Sequence, residues 1–396
     1  MIYLAIFVFL FYFALTKDNR GNNLLYWGVA VALIFFMGLS RELGSDRPAY
    51  IDEYTNTAIL LTDFDSVWDN CLLLMALGRM PLWVLSEILF SAVSPDDFTL
   101  FQFVHVVFVN GVIFWFFKKY SHCKFLCLFV YFCTSFLIFN CEIMRESTAV
   151  AITLLAVPYF LQRKWIKYYL ICLLAFGFHA SSIIAFLFPL IPQFKLTKTK
   201  IFFLSVGIVV SYFVALPVFI TVGDMLSMSF LGNRFNAYFS SGLNIIGLLY
   251  NLVLNFIFPS YLLYYVMQRR FFSDFVLLER FVPILVVLGA FITSLLTMDR
   301  LFNYLVVVQI AIYAMCLKNF ILYMRYRLPY FVLVFVVLFL SPIHDALYYF
   351  SSYDNGYHRF DFYYPYSTIF DDTDVYFRKD LRDYVLDMSS DKYQRE

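Results

Sequence analysis

His179 lies in Gly177-Phe178-His179-Ala180-Ser181, a break between apolar flanks. An imidazole there can accept a proton near neutral pH. Asp46 lies in a second break, Arg41-Glu42-Leu43-Gly44-Ser45-Asp46-Arg47-Pro48, followed by Tyr50, Asp52, Glu53 and Tyr54. A carboxylate in such a loop can take a proton from a hydroxyl or hold it by hydrogen bond. The two tyrosines offer rings for stacking on sugar faces. A solvated loop with interfacial tyrosines is the plainer reading. Arg145 and Glu146 follow Glu142 at the junction of two apolar runs. Ionisable groups at that depth are functional candidates because stranding them in hydrocarbon is costly. A local Arg–Glu pair that sets helix ends is the alternative. Arg234 belongs to the polar stretch 232–238, and Asp299-Arg300 separates two apolar runs almost without a loop. His105 and Gln102, one turn apart in a single run, read as helix-packing residues.

The elements that must position these residues are apolar helices. The chain has 396 residues, 62% hydrophobic and 14% charged, whereas a soluble domain runs ~45–50% apolar and ~25% charged. Apolar runs of about 15–22 residues recur, the length that spans a bilayer core. The fold class expected is all-α, a polytopic transmembrane bundle of about twelve passes with a cavity opening outward. The first run, 2–15, lacks the flanks of a signal peptide and reads as a retained helix. The seven cysteines lie mostly within apolar runs and none has zinc spacing with histidine, so neither a disulfide framework nor a metal is expected. Residues 1–347 form the membrane domain, with outer loops at 41–99 and 223–242. Residues 348–396, rich in Tyr and Asp, form a tail outside the membrane. It either lines a sugar groove or makes an interfacial aromatic belt.

Lysine clusters give the sidedness. Lys118, Lys119 and Lys124, then Arg163, Lys164 and Lys167, then Lys195, Lys198 and Lys200, then Arg269 and Arg270 fall in short loops. The positive-inside rule places them in the cytoplasm. Spans are then expected at 24–39, 101–117, 125–139, 147–161, 201–220, 243–266, 281–296, 301–317 and 330–340. Two segments must begin and end on one side. Residues 71–93, broken at Gly78-Arg79-Met80-Pro81, read as a re-entrant or interfacial hairpin. Residues 168–194 read as two short helices turning near His179. One ordinary span is the alternative there, and it would invert every later loop.

An asymmetry follows. Every outward cation before the tail is arginine: Arg41, Arg47, Arg79, Arg145, Arg234 and Arg300. Arginine binds phosphate with a planar two-toothed fork, so the set points to a polyanion such as a pyrophosphate. Snorkelling at helix ends is the bland account. A net charge of +1 gives no reason to expect nucleic acid. The sequence has no Gly-rich phosphate loop, Gly-x-Ser-x-Gly elbow or Asp-x-Asp pair, which disfavours a metal-dependent nucleotide-sugar enzyme.

Four stretches together resemble the EpsG family of exopolysaccharide and O-antigen polymerases, the Wzy-like enzymes. They are Arg41…Gly44-Ser45-Asp46…Tyr50…Tyr54, then Met144-Arg145-Glu146-Ser147-Thr148-Ala149, then Ala175-Phe176-Gly177-Phe178-His179-Ala180-Ser181, and Met298-Asp299-Arg300-Leu301-Phe302-Asn303-Tyr304. Glu146 stands where the family has Gln, which leaves its role open, and the tail has no counterpart in the pattern. The resemblance implies a GT-C-like architecture in the bacterial cytoplasmic membrane, with the site facing outward. It implies transfer of a growing glycan from undecaprenyl pyrophosphate to the non-reducing end of another lipid-linked unit, without metal, nucleotide or other cofactor. Membrane lipids and a chain-length regulator are the other implied partners. In that scheme Arg145, Arg234 and Arg300 stabilise the leaving pyrophosphate. His179 or Asp46 removes the proton, and Arg41 pairs with Asp46 or joins the arginines. Tyr50, Tyr54, Glu146 and Tyr304 bind substrate. A lipid-linked oligosaccharide flippase, a membrane O-acyltransferase and a glycan ligase remain the competing readings.

Overall fold

The structure is a computed structural model that describes residues 2–16, 22–60, 79–95, 97–225, 245–268, 276–294, 299–322, 358–371, 378 and 380–384. Among these, every regular element is helical, and the pairing of Ser40 with Thr368 is an isolated bridge. The chain divides into two compact units. The first comprises Met1–Val157, Ile166–Ser182 and Pro342–Glu396, the second Pro158–Trp165 and Ile183–Ser341.

The first unit is built from α1 (Ile2–Thr16), α2 (Asn23–Gly38), α3 (Arg47–Leu60), α4 (Pro81–Ser91), α5 (Thr99–Tyr120), α6 (Lys124–Thr134) and most of α7 (Met144–Leu161), with α8 (Trp165–Phe176) following. A π-turn at Ile138–Glu142 separates α6 from α7. Helix α1 packs on α6 and α2 on α5, through a core that includes Phe114, Phe117 and Tyr131. Lys118 and Lys119 close the last turn of α5, where cations suit the helix dipole. They lie over Trp27 at 5.2 Å and Trp115 at 4.7 Å. The outer faces carry large apolar side chains: Leu4 is 60% exposed, Ile166 80% and Leu170 61%. Water would penalise that surface and lipid would not.

The second unit contains α9 (Lys198–Met225), α10 (Ile245–Asn251), a π-turn (Leu252–Ile257), α11 (Phe258–Gln268), α12 (Val276–Ser294), a 3-10 turn (Asp299–Phe302) and α13 (Asn303–Leu322). Helix α12 packs on α9 and α13, and its Phe281 ring meets Phe160 at 5.2 Å and Phe188 at 6.2 Å.

Two helical stretches, Thr99–Tyr120 and Arg300–Leu317, are long and apolar enough to cross a membrane, beside six shorter apolar helices among the described residues. The expected span 330–340 and the first half of the expected hairpin at 71–93 lie outside the described residues. The second half is α4, which begins on Pro81 with an extended Met80 before it. At eleven residues it is about 16 Å long, too short to cross a core of ~30 Å. The helix breaks where expected: α8 ends at Phe176 and a 3-10 segment begins at Ala180.

One expectation needs correction. The loop expected through Tyr54 is helical from Arg47 onward. Tyr50, Tyr54 and Thr57 are buried on one face, at the spacing of successive helical turns. The charged residues between them disguised that period as a polar loop.

Candidate functional site

Gly44 begins the site. Its φ of +93° is open to glycine, and a Cβ would lie 2.6 Å from Cys141 Cβ and 2.9 Å from Glu142 Oε1. The turn wraps the Glu142 carboxylate. The Ser45 and Asp46 backbone N–H groups donate to it at 2.8 and 3.2 Å, and the Ser45 and Tyr363 hydroxyls add further bonds. Glu142, a sequence candidate for chemistry, is thereby spent as a scaffold. Asp46 keeps an exposed side chain. Gly44→Ala is expected to destabilise the protein by on the order of 3 kcal/mol, since it adds backbone strain to a clash. Thermal unfolding in detergent checks this, and an unchanged midpoint would mean that the turn does not seat on Cys141.

The tail clamps the same turn. Arg41 N–H donates to Ser367 O at 2.9 Å, Gly44 N–H to Phe362 O at 2.9 Å and Ile369 N–H to Leu39 O at 3.0 Å. Arg378 is fully buried and donates to the Arg41 and Glu42 carbonyls. Desolvation lowers the pKa of its guanidinium from the ordinary value. Arg41 is drawn into this contact: it lies 3.9 Å from Glu42 and donates to the Asp371 carbonyl at 3.2 Å.

The arginines sort by environment. Arg47 is fully buried, donating to Ser40 Oγ and to the Asn140 carbonyl, both at 2.8 Å. It is a structural residue and is not open to an outward ligand. Arg79 and Arg145 come together around one carboxylate. Arg79 Nη2 is 3.1 Å from Glu53 Oε1, and Arg145 Nη1 is 3.9 Å from Glu53 Oε2. Arg79 Nη1 is also 3.7 Å from Glu87 Oε2. Glu87 is buried on α4 and accepts from the Trp83 indole N–H at 2.7 Å. Burial pushes the Glu87 carboxyl up to about 7; the charge of Glu53 adds to this and Arg79 opposes it. Arg145 rests over the Tyr50 ring at 5.4 Å. Burial also pushes the Tyr50 phenol up to about 12, with Arg145 pulling it down.

Tyr50 and Tyr54 are not open rings. They are 5% and 1% exposed and form an aromatic core with Trp83, Phe98, Phe101 and Met144. Tyr54 donates to the Ser94 carbonyl at 2.7 Å. The expected stacking on sugar gives way to packing that holds Arg145 and Glu53.

The His179 turn docks beside this cluster. Leu82 N–H donates to Gly177 O at 2.8 Å. A Cβ on Gly177 would meet Leu82 Cδ1 at 2.5 Å, so glycine is what permits the approach. Phe178 packs on the aromatic core, and His179 is partly buried. Glu146 is 2% exposed. Gln102 donates to the Gly38 and Ser40 carbonyls, and His105 Nε2 lies 3.0 Å from Met144 O, the packing role expected of both. In the second unit Arg300 is exposed on its 3-10 turn and Tyr304 is buried at the start of α13. Arg234 lies outside the described residues.

Asp46, Arg145 and His179 all belong to the first unit, where ion pairs join Arg145, Glu53, Arg79 and Glu87. The sequence offers Arg79 as one of the outward arginines and Glu53 as a carboxylate of the first break, and gives Glu87 no role. The signal that could have found Glu87 is Trp83 four residues before it, on the same helical face.

A family model described as the EpsG family matches residues 23–368. No curated protein and no solved structure matches the chain. The match runs into the tail as far as residue 368, which corrects the expectation that the tail has no counterpart. Its described part beside residue 368 is the segment that clamps the Gly44 turn.

Proposed function

This chain belongs to the EpsG family, and on that basis we propose that it polymerises glycan repeat units carried on a lipid pyrophosphate at the outer face of the bacterial cytoplasmic membrane. The observation that carries this reading is the convergence of Arg79 and Arg145 on one carboxylate, 3.1 and 3.9 Å away. Two partly exposed guanidiniums beside apolar helices suit a doubly charged lipid headgroup. The acceptor hydroxyl oxygen attacks the anomeric carbon of the donor. The bond from that carbon to the pyrophosphate oxygen breaks, and its electron pair leaves on the pyrophosphate. The proton passes to His179, with Asp46 the other candidate. Arginines at the leaving oxygens stabilise charge as it develops, and Arg234 and Arg300 are candidates for that role from the sequence pattern alone. A chain-length regulator is a further proposed partner.

Purified protein given a lipid-linked repeat unit, without metal or nucleotide, is expected to produce a ladder of polymer on a gel. Reporter fusions are expected to place Lys118, Arg163 and Lys198 in the cytoplasm and Arg145 outside. Movement of the lipid across vesicles with no ladder would make the protein a flippase instead.

A further inference from the structure

Glu53 is the exchangeable member of the cluster. Each arginine that meets it has a second anchor. Arg79 also faces Glu87, which is buried and fixed by Trp83. Arg145 also lies over Tyr50, which is buried in the aromatic core. Removing Glu53 therefore leaves both guanidiniums held. Glu53 meets Arg79 closely and Arg145 poorly. Among the described residues no group donates a hydrogen bond to its Oε2, although that atom is shielded from solvent, and it stands 3.9 Å from Arg145. One carboxylate has two oxygens on one carbon and cannot give both forks a two-toothed contact. A diphosphate has more anionic oxygens over a longer span and can. The side chains of Arg79, Arg145 and Glu53 are 18%, 33% and 22% exposed, so a headgroup can reach them while Glu87, at 1%, stays behind.

We propose that Arg79 and Arg145 form a seat for a lipid diphosphate, and that Glu53 fills this seat when it is empty and is displaced when the ligand arrives. This rests on the reading of the protein as an enzyme of lipid-diphosphate substrates, but binding tests it apart from turnover.

The experiment is calorimetric titration of the full-length protein in detergent, in metal-free buffer. Farnesyl diphosphate is the lipid probe and inorganic pyrophosphate the free-anion probe. Glu53→Gln keeps the shape of the side chain and removes the competing charge. It is expected to bind farnesyl diphosphate about tenfold more tightly than wild type, the scale of one charge-assisted contact released. Arg79→Gln is expected to bind it about 100-fold more weakly. If Glu53→Gln fails to fold, Glu53→Asp, whose shorter side chain draws back from both arginines, is expected to tighten binding in the same direction. Unchanged or weaker binding by the folded variant overturns the displacement, and full binding by Arg79→Gln overturns the seat. Tight binding of inorganic pyrophosphate with none of farnesyl diphosphate overturns the lipid source. A protein that binds as expected yet makes no ladder would keep the seat and lose the polymerase.

Discussion

Arg145→Lys is expected to lose about 100-fold or more of polymer formation, the scale of one preorganised donor at a developing oxyanion, while the protein still inserts. Arg145 lies in Met144-Arg145-Glu146, and both neighbours are buried, at 0% and 2% exposed. The backbone there is therefore fixed. The guanidinium sits over Tyr50, which holds a flat cation better than a compact ammonium. Lysine keeps the charge and loses both the fork and the flat face. The measurement is ladder formation by purified variants, with insertion checked by membrane fractionation. Normal ladders from both Arg145→Lys and Arg300→Lys would remove the arginines from the reaction, because a point charge would then serve as well as a fork.

His179→Ala is expected to lose at least about 100-fold in rate while still binding donor, the usual scale for a general base. A histidine base works only when neutral, so acid that protonates it should suppress activity. Glu87 complicates the profile, because burial brings its carboxyl up to about 7. Its raised value means that ionising Glu87 costs the fold. That cost is absent below the ordinary carboxylate range and grows as pH climbs towards about 7. The ionised form also holds Arg79 more strongly, so its titration pushes activity in the same direction as a histidine base. Glu87→Gln separates the two. A rising limb that survives Glu87→Gln and vanishes from the residual rate of His179→Ala assigns the proton to His179. A full ladder from His179→Ala, with none from Asp46→Asn, reverses the roles and leaves His179 as a packing residue.

Membrane character, helical class and most helix positions were legible in the sequence because they rest on local quantities. A run of apolar residues long enough to need lipid is visible without knowing its neighbours, and α2, α5 and α13 fall where such runs stand. The break at Gly177 was legible for the same reason, since glycine and the polar residues beside it interrupt the run. The family pattern named Asp46, Arg145 and His179 because each sits in a short contiguous motif. Arg47 and Arg79 show where this ends. Both are outward arginines by charge pattern, yet one is sealed among the Ser40 and Asn140 carbonyls and the other faces two carboxylates. Nothing in the order of residues separates them. Burial of a charge depends on groups from helices distant in sequence, and desolvation acts only once those helices meet. Glu142 is similar: its carboxylate is consumed by residues 97 and 221 positions away. By itself, then, the sequence determined the solvent in which this chain folds, the helices it forms and three motif residues of the candidate site. Tertiary structure alone decided which charges are scaffold and which are open to a ligand, because that choice is made by long-range contacts that remove some groups from water and leave others at its edge.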